Sequence, residues 1–485
     1  MKRISTSWLW RACLLFSVAF AFASASAIPL WSLYPASGYR NNSNGSLNNV
    51  GSSGYVWLSS ANSQNNAYNL NFNSSNVNPQ NNNNRANGNS VRSVQAFAGT
   101  EEGFYIRTPM KLDKNILDRL LTLAYLDARR NERTKRAALS FELNLENNLR
   151  VLREELWVRE YKPAPPVCFV IDTPREVFAP LFRDRIVSHL LFNMIAPLFE
   201  KTFIFDSYSC RKGKGTLFGI KRLEKHMCSC TENYTKRAYV LHLDISGYFM
   251  SIDKGILYSI ICGEMKKHKD TWEKKLDYGF VDYLIRAIIF RNPTEGCIKI
   301  GDLKDWDRLP PHKSLFHSPV GSGLTIGDVT SQMFSNIYLN PLDQFAKREM
   351  KCRYYGRYVD DVRIVGCDKK KLVRTAVAID SFLKHKLGLR LNHGKTKIIR
   401  ADRTVGFLGA KLRGGRRYAA GRTIGKFAEK TFEGQSLSVL NSYLGYLKHF
   451  RADKAIGKII QPLADGGKYM FADNLSKVTF KDVSL

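Results

Sequence analysis

Two adjacent carboxylates, Asp360 and Asp361, stand between the apolar flanks of the stretch Tyr354 to Val365, and no other feature restricts the folding of the 485-residue chain as tightly. Charged side chains resist burial in a strand, so the stretch reads as a hairpin with its turn at the carboxylates. Upstream, Tyr239 to Ile245 is apolar enough for a buried strand and contains Asp244 near its end. Met333, Ile337, Tyr338, Leu342 and Phe345 mark a helix after the Gly-rich turn at 321–327, and Leu372, Ala376, Ile379, Phe382 and Leu383 mark another. Leu389 to Leu391, with Ile398 and Ile399, suggest further strands. The order strand, helix, hairpin, helix, strand predicts an α+β layer: helices cover one face of an antiparallel sheet, and the other face is left for a ligand.

The surrounding chain is strongly basic. Lys and Arg number 74 against 43 Asp and Glu, a formal charge of +31, which points to a polyanionic partner bound through phosphate contacts. Nucleic acid is the leading candidate, with ribosome-like or membrane-surface adhesion as the alternative on charge alone. Nine cysteines without a CxxC exclude a disulfide framework or structural zinc site as the organising principle, and Cys228 and Cys230 are read as thiols of a surface loop.

The first hundred residues contain no Asp or Glu, and residues 41–90 are crowded with Asn. Such polar low-complexity sequence buries too little apolar area to offset chain entropy and reads, by itself, as a disordered arm. It follows a signal-like start, Lys2 and Arg3 before an apolar run from Leu14 to Ala27. From about Thr108 the texture becomes that of a folded enzyme, beginning at Met110. Ile116, Leu120 and Leu123 indicate one helix, and Leu143, Leu145, Leu149, Leu152 and Leu156 a second; Val167 to Ile171 reads as a strand. Leu437, Leu440, Leu444 and Leu447 indicate a small C-terminal helical domain.

Converging aspartates suit nucleotidyl transfer, which uses two divalent cations, one at the attacking hydroxyl and one at the leaving phosphate. Magnesium needs only one or two carboxylates besides substrate oxygens and water. Asp360 and Asp361 at a hairpin turn, with Asp244 at the end of a neighbouring strand, form such a set.

Tyr358-Val359-Asp360-Asp361 resembles the hallmark hairpin of reverse transcriptases, and it follows His242-Leu243-Asp244-Ile245-Ser246-Gly247-Tyr248-Phe249, which resembles the family's first palm motif. The resemblance implies Asp244, Asp360 and Asp361 as catalytic metal ligands, with Ile245 in the metal set and two Mg2+ ions as cofactor. It implies Phe249 as the aromatic residue under the sugar, and Arg175 as a fingers contact to the triphosphate. Lys395, in Leu391-Asn392-His393-Gly394-Lys395-Thr396, resembles the lysine that protonates the leaving pyrophosphate. Gly406, Leu408 and Gly409, in Val405-Gly406-Phe407-Leu408-Gly409, resemble the primer grip, and Tyr358 is expected beside the nucleic acid. Arg211, Lys212 and Lys214 combine cations with glycines that admit a phosphodiester, or else form a solvated basic turn. The segment 442–449 resembles a thumb helix.

Most of the family carries Gln-Gly and then Ser-Pro before the Asp pair, whereas this chain has Ile326-Gly327-Asp328-Val329-Thr330-Ser331-Gln332. Ile326, Gly327 and Gln332, all expected at the nucleotide, match reverse transcriptases of diversity-generating retroelements. That resemblance implies a right-hand polymerase with fingers at 110–235, a palm at 236–412 enclosing a fingers insertion at about 265–320, and a helical thumb at 420–485. It further implies RNA template, DNA primer and dNTPs as partners, a small basic accessory protein oligomer, no membrane, a cytoplasmic setting and adenine-directed errors; no residue here singles out adenine. On the same resemblance, residues 1–95 are a template repeat translated in frame, with a disordered arm as the alternative. Two competitors stand beside this reading. A group II intron-like enzyme requires the absent Gln-Gly and Ser-Pro residues, and a secreted lectin-like display protein leaves the three carboxylates unexplained.

Overall fold

The computed structural model describes residues 112–480, apart from 131, 172–173, 303, 434–435, 467–468 and 473–474, together with six strands between residues 37 and 89. The chain forms two compact units, Met1–Tyr105 and Ile106–Leu485. In the first, strands β1 (Ser37–Arg40), β2 (Leu47–Val50), β3 (Ser53–Ala61), β4 (Asn66–Asn73), β5 (Val77–Asn84) and β6 (Gly88–Asn89) form one sheet in the order β2-β1-β3-β4-β5, with β6 on β1. This departs from the expected disordered arm. The sequence offers a reason: Asn69-Leu70-Asn71-Phe72 alternates polar and apolar residues with the strand period, a pattern that average composition hides. The signal-like start and Met110 lie outside the described residues.

The second unit begins with helices α1 (Lys114–Arg129), α2 (Arg136–Glu142) and α3 (Leu145–Trp157). The single Leu-rich helix expected around Leu143 is two helices, and Leu143, at the break, is exposed. A hairpin of β7 (Val167–Ile171) and β8 (Arg175–Ala179) leads to α4 (Phe182–Phe199) and α5 (Thr216–Cys230). Helix α4 is apolar nearly all round and buries Ile186, Leu190, Leu191 and Ile195, so it serves as the hub of the fingers region. Cys228 and Cys230 close α5 rather than occupy a surface loop, and Cys230 is buried with its sulfur 3.5 Å from that of Cys367.

The central sheet pairs β9 (Tyr239–Asp244), β11 (Tyr354–Tyr358), β12 (Asp361–Gly366) and β13 (Lys397–Arg400) in the order β11-β12-β9-β13, antiparallel throughout. Between β9 and β11 the chain forms α6 (Tyr248–Ser251), α7 (Lys254–Lys267), α8 (Tyr278–Ile289), the short β10 (Ile298–Lys299) beside β7, and α9 (Val329–Gln344). Helix α10 (Lys369–Leu387) follows β12. Asp253 and Asp368 cap α7 and α10 by accepting from main-chain amides of Ile256 and Lys371. Leu241, Leu243, Val362 and Ile364 project from one sheet face into a core with Phe334 and Ile337 of α9, Ile379 and Leu383 of α10, and the buried stripe of α4.

The opposite face is open only at its carboxylate end, a restriction the sequence pattern did not show. Farther along, Val240 and Val365 enter a second core with α5 and a three-stranded sheet of β14 (Val405–Phe407), β15 (Ala410–Arg413) and β16 (Arg416–Ala419). The same core takes in α11 (Gly421–Phe432), α12 (Leu437–Leu447) and α13 (Asp453–Asp465). A terminal hairpin, β17 (Tyr469–Phe471) and β18 (Val478–Phe480), was not signalled by the Leu spacing. It is held by Asn441, whose amide both donates to and accepts from the main chain of Val478, at 2.9 and 2.7 Å. Leu389 to Leu391 makes no strand beyond a single bridge from Leu391 to Ile245.

One buried ion pair joins α9 to the edge strand β11. Arg357 and Asp343 are both fully buried and bind in two-pronged fashion, Nε to Oδ1 at 2.8 Å and Nη2 to Oδ2 at 2.6 Å. Tyr355 donates to the same carboxylate, and Arg357 also donates to Ser207 Oγ. The main chains of Asp206, Tyr208 and Arg357 pair alongside. A Cβ on Gly356 would lie 2.2 Å from the Tyr208 hydroxyl, so only glycine admits this approach. Removing one member leaves the other charge buried and unpaired. Asp343→Ala is therefore expected to lower unfolding free energy by about 3–5 kcal/mol, measured by denaturant titration, with a smaller loss in the double variant Asp343→Leu, Arg357→Met.

Candidate active site

The hairpin of β11 and β12 closes between Tyr358 and Asp361, which makes Val359 and Asp360 its two turn residues. Val359 adopts φ +54°, a left-handed conformation that a β-branched residue resists at a cost of about 1–3 kcal/mol. Arg357 holds it there, donating from Nη1 to the Val359 carbonyl at 2.9 Å. The ion pair that joins α9 to β11 thus also fixes the strained turn.

Antiparallel register places Asp361 directly opposite Asp244, so their side chains leave the sheet on the same face as neighbours. Two residues farther along, Arg363 stands opposite His242, and His242 in turn opposite Lys397. A row of nitrogen-bearing side chains therefore underlies the carboxylate row. Arg363 donates to Asp361, with a second contact at 3.4 Å from Nη2 to Oδ2, and Nη2 also reaches the Gly406 carbonyl at 3.1 Å. The Phe407 ring lies 4.8 Å from its guanidinium, and burial pushes the Arg363 pKa down while Asp361 opposes that shift. His242 Nε2 lies 3.4 Å from Asp361 Oδ1. Lys395 Nζ contacts Asp244 Oδ2 at 3.0 Å. Among the described residues no such cation contacts Asp360. Crowding by protein removes water from its carboxyl, and the charges of Asp244 and Asp361 add to the effect, raising its pKa to about 6 against the opposing pull of its main-chain amide and Arg175.

These groups share a cleft of about 460 Å³. It brings together Arg175, Asp244, Ile245, Phe249 and Ile326 with Tyr358, Asp360, Asp361, Lys395 and Leu408. Other expected residues stand elsewhere. Gly327, at φ +117°, abuts Val177 behind the cleft, and Gln332 is exposed on α9 without lining it. Gly406 and Gly409 flank the turn after Phe407, outside the cleft wall; the Gly406 carbonyl reaches the site only through Arg363. Arg211 faces inward. Its guanidinium bonds Glu200 and the carbonyls of Ile204 and Ser207, so it fastens the loop instead of presenting charge. Lys214 is likewise engaged, with Nζ on the Phe205 carbonyl and over the Phe205 ring, and burial lowers its pKa to about 8. Lys212 is exposed.

Sequence reasoning passed over Arg363, His242, Arg357, Glu176, His312 and Lys313. Strand alternation held a signal for two of them: Arg363 follows Asp361 by two residues, and His242 precedes Asp244 by two, so each shares its aspartate's face. For the others the signal lies in long-range contacts that no local pattern records.

The donor set suits magnesium, because hard carboxylate oxygens from two adjacent strands and a turn converge on one cleft. Among the described residues no group of three or more His, Cys, Asp or Glu is already gathered at ligand spacing. Two of the carboxylates are instead held by Arg363 and Lys395. One or two carboxylates suffice for a magnesium ion; Asp360 would be one, and Asp244 another once its contact with Lys395 yields.

Comparison with known proteins agrees with this chemistry. Residues 171–412 match the family model described as reverse transcriptase (RNA-dependent DNA polymerase). Protein YkfC of Escherichia coli strain K12 is 25% identical over 300 residues, covering 54% of this chain and 71% of that protein. Among solved structures, apo telomerase from Candida tropicalis aligns at TM-score 0.40 and 11% identity, over 63% of this chain and 59% of that one. Telomerase from Candida albicans in complex with a TWJ fragment of telomeric RNA aligns at TM-score 0.40 and 11% identity, over 64% and 55%. The chain thus spans less than two thirds of these telomerase chains. The mixed helices and antiparallel sheets form a right-hand polymerase fold.

A carboxyl with a raised pKa is neutral below that value and free to bind a cation above it. Mg2+ affinity is accordingly expected to rise with pH through about 6, and isothermal titration calorimetry across pH 5–8 should show the step lost in Asp360→Asn.

Proposed function

We propose that this RNA-directed DNA polymerase, whose domain spans residues 171–412, copies a template-repeat RNA into DNA with relaxed selectivity for mutagenic retrohoming, as in diversity-generating retroelements. The observation that carries the reading is Ile326. It lines the cleft with Arg175 and Asp360, packs against the cluster of Cys168, Phe178, Met250 and Leu315, and its carbonyl accepts from Phe178 at 3.2 Å. An apolar side chain there offers the incoming nucleotide no hydrogen bond, where a Gln would restrain its geometry. Gln332 lies off the cleft, and its part in selectivity is confined to an indirect one through α9.

Asp244 and Asp360 would hold two magnesium ions, with Asp361 assisting. When bound, the metals activate the primer 3′-hydroxyl and offset charge on the triphosphate. Arg175 is exposed at the start of β8 and lines the cleft, and among the described residues its fork of donors makes no hydrogen bond, which suits it to phosphate. Phe249, packed edge-on against Tyr248 at 5.3 Å, presents a rigid wall to the sugar and rejects a 2′-hydroxyl by contact. Lys395, held by Asp244, would give a proton to departing pyrophosphate.

RNA template and DNA primer then lie across the carboxylate end of the sheet, and the formal charge of +31 supports that partnership. A small basic accessory oligomer is part of the same reading; like charge on both proteins directs its contacts to RNA or to local acidic patches. We assign the enzyme to the cytoplasm, and no helix among the described residues is long and apolar enough to cross a membrane. Residues 1–95 are read as translated template repeat, which recovery of Asn-rich peptides from the native protein by mass spectrometry would overturn.

Extension of a DNA primer on an RNA template tests the polymerase, with a loss on the order of 10³-fold expected for Asp360→Ala. Ile326→Gln is expected to reduce misincorporation roughly tenfold, read by sequencing the cDNA; unchanged errors would remove Ile326 from the account.

A further inference from the structure

We infer that the loop between residues 304 and 323 supplies a second cationic anchor for the triphosphate of the incoming nucleotide, through Lys313 with His312 beside it. The inference rests on the polymerase reading above and adds a binding subsite to it.

The loop is fastened to the walls of the site at three places. Glu176 is fully buried, and its two oxygens accept from Ser314 Oγ at 2.5 Å and from the Leu315 main-chain amide at 2.7 Å. Leu315 then seats among Cys168, Phe178 and Met250. The far end is tied to the first aspartate segment, with Gly323 donating to the Ile252 carbonyl and Leu324 to that of Phe249. A buried carboxylate is costly unless its hydrogen bonds are well made, so Glu176 holds the loop at one position on β8.

Glu176 follows Arg175, and successive residues of a strand face opposite ways. One strand therefore grips the loop with one side chain and offers Arg175 to the cleft with the next. The loop also presses on the turn after Asp244: Gly247 has φ +54°, and a Cβ there would lie 3.0 Å from the His312 carbonyl. The consequence is that His312 and Lys313 are exposed yet line the same cleft as Arg175, Asp244 and Asp360.

Lys395 is already matched with Asp244, and Arg363 with Asp361. Lys313 differs. Among the described residues neither it nor His312 makes an ion pair or a side-chain hydrogen bond, so an exposed cation stands in the cleft wall without a protein partner. A nucleoside triphosphate brings several negative charges into a site that already holds three carboxylates, and metal ions offset only part of them. Cations on the fingers side must meet the remaining oxygens. Arg175 is one such cation, and Lys313 is placed to be another. The phosphodiester of a template strand presents the same chemistry, and the experiment separates the two.

The test uses the full chain and the exposed substitution Lys313→Gln, with Lys313→Arg as the conservative variant. Steady-state primer extension should show the KM for dNTP raised about 10-fold with kcat within about twofold, the template–primer Kd unchanged, and Lys313→Arg near wild type. An unchanged KM for dNTP, or a rise confined to the template–primer Kd, would overturn the inference while wild-type extension leaves the polymerase reading standing. Should the wild-type protein extend no primer, that reading fails separately. Binding of inorganic tripolyphosphate with Mg2+, followed by calorimetry, still decides the subsite: weakening of about 10-fold in Lys313→Gln supports it, and equal binding rejects it.

Discussion

The buried pair of Arg357 and Asp343 is the constraint on which the catalytic geometry depends. It sits where three things meet: the edge strand of the palm, the fingers segment 206–208, and the turn that carries Asp360. A buried ion pair contributes little net stability compared with apolar residues of the same size. Its value here is directional. The guanidinium has enough donors to bind Asp343 twice and still hold the Val359 carbonyl, and a planar fork allows no freedom in how those partners are arranged. Strain at Val359 persists because a rigid, fully buried group overrides the local preference.

From that fixed turn, the antiparallel register does the rest. Asp361 stands beside Asp244 since one residue of each strand must face its partner, and the layer beneath is filled by Arg363, His242 and Lys397 through the same alternation. The three carboxylates are thereby differentiated. Asp244 and Asp361 rest against cations, whereas Asp360 is crowded by protein and by its like-charged neighbours, which raises its pKa. Arg363 further ties Asp361 to the Gly406 carbonyl, so the carboxylate row and the turn at 406–409 share a direct physical link.

Local chemistry explains which parts of this were legible in the sequence. Two polar residues between apolar flanks specify a hairpin and its turn, and the helices after Asp328 and Asp368 follow from 3.6-residue periodicity. Asp244, Asp360 and Asp361 were singled out by the resemblance of their two segments to known motifs, and the register of one sheet brings them to one end. Arg211 was misleading for the opposite reason: a basic residue beside glycines looks like a phosphate loop, and only the folded chain shows its donors spent on Glu200 and two carbonyls. His312 and Lys313 are far in sequence from Arg175, and the contact that brings them near passes through Glu176, a residue with no local sign of burial. The strands between residues 37 and 89 were hidden by composition, since a count of Asn says nothing about alternation.

The register of the central strand also sets how this polymerase can change over evolutionary time. Strand β9 pairs with β12 on one side and β13 on the other, so a single inserted or deleted codon within 239–244 would turn Asp244 away from Asp361 and disrupt both pairings together. Residues 290–302 are not paired to the sheet on two sides in this way; they meet the fold through the two-residue pairing of β10 with β7, through Arg291, whose carbonyl accepts from Lys254 and whose guanidinium donates to Ala164, and through the Cys297 sulfur beside Cys168. A change of length in that stretch would leave the pairing of Asp244 with Asp361 in register, so the reaction centre would stay in frame.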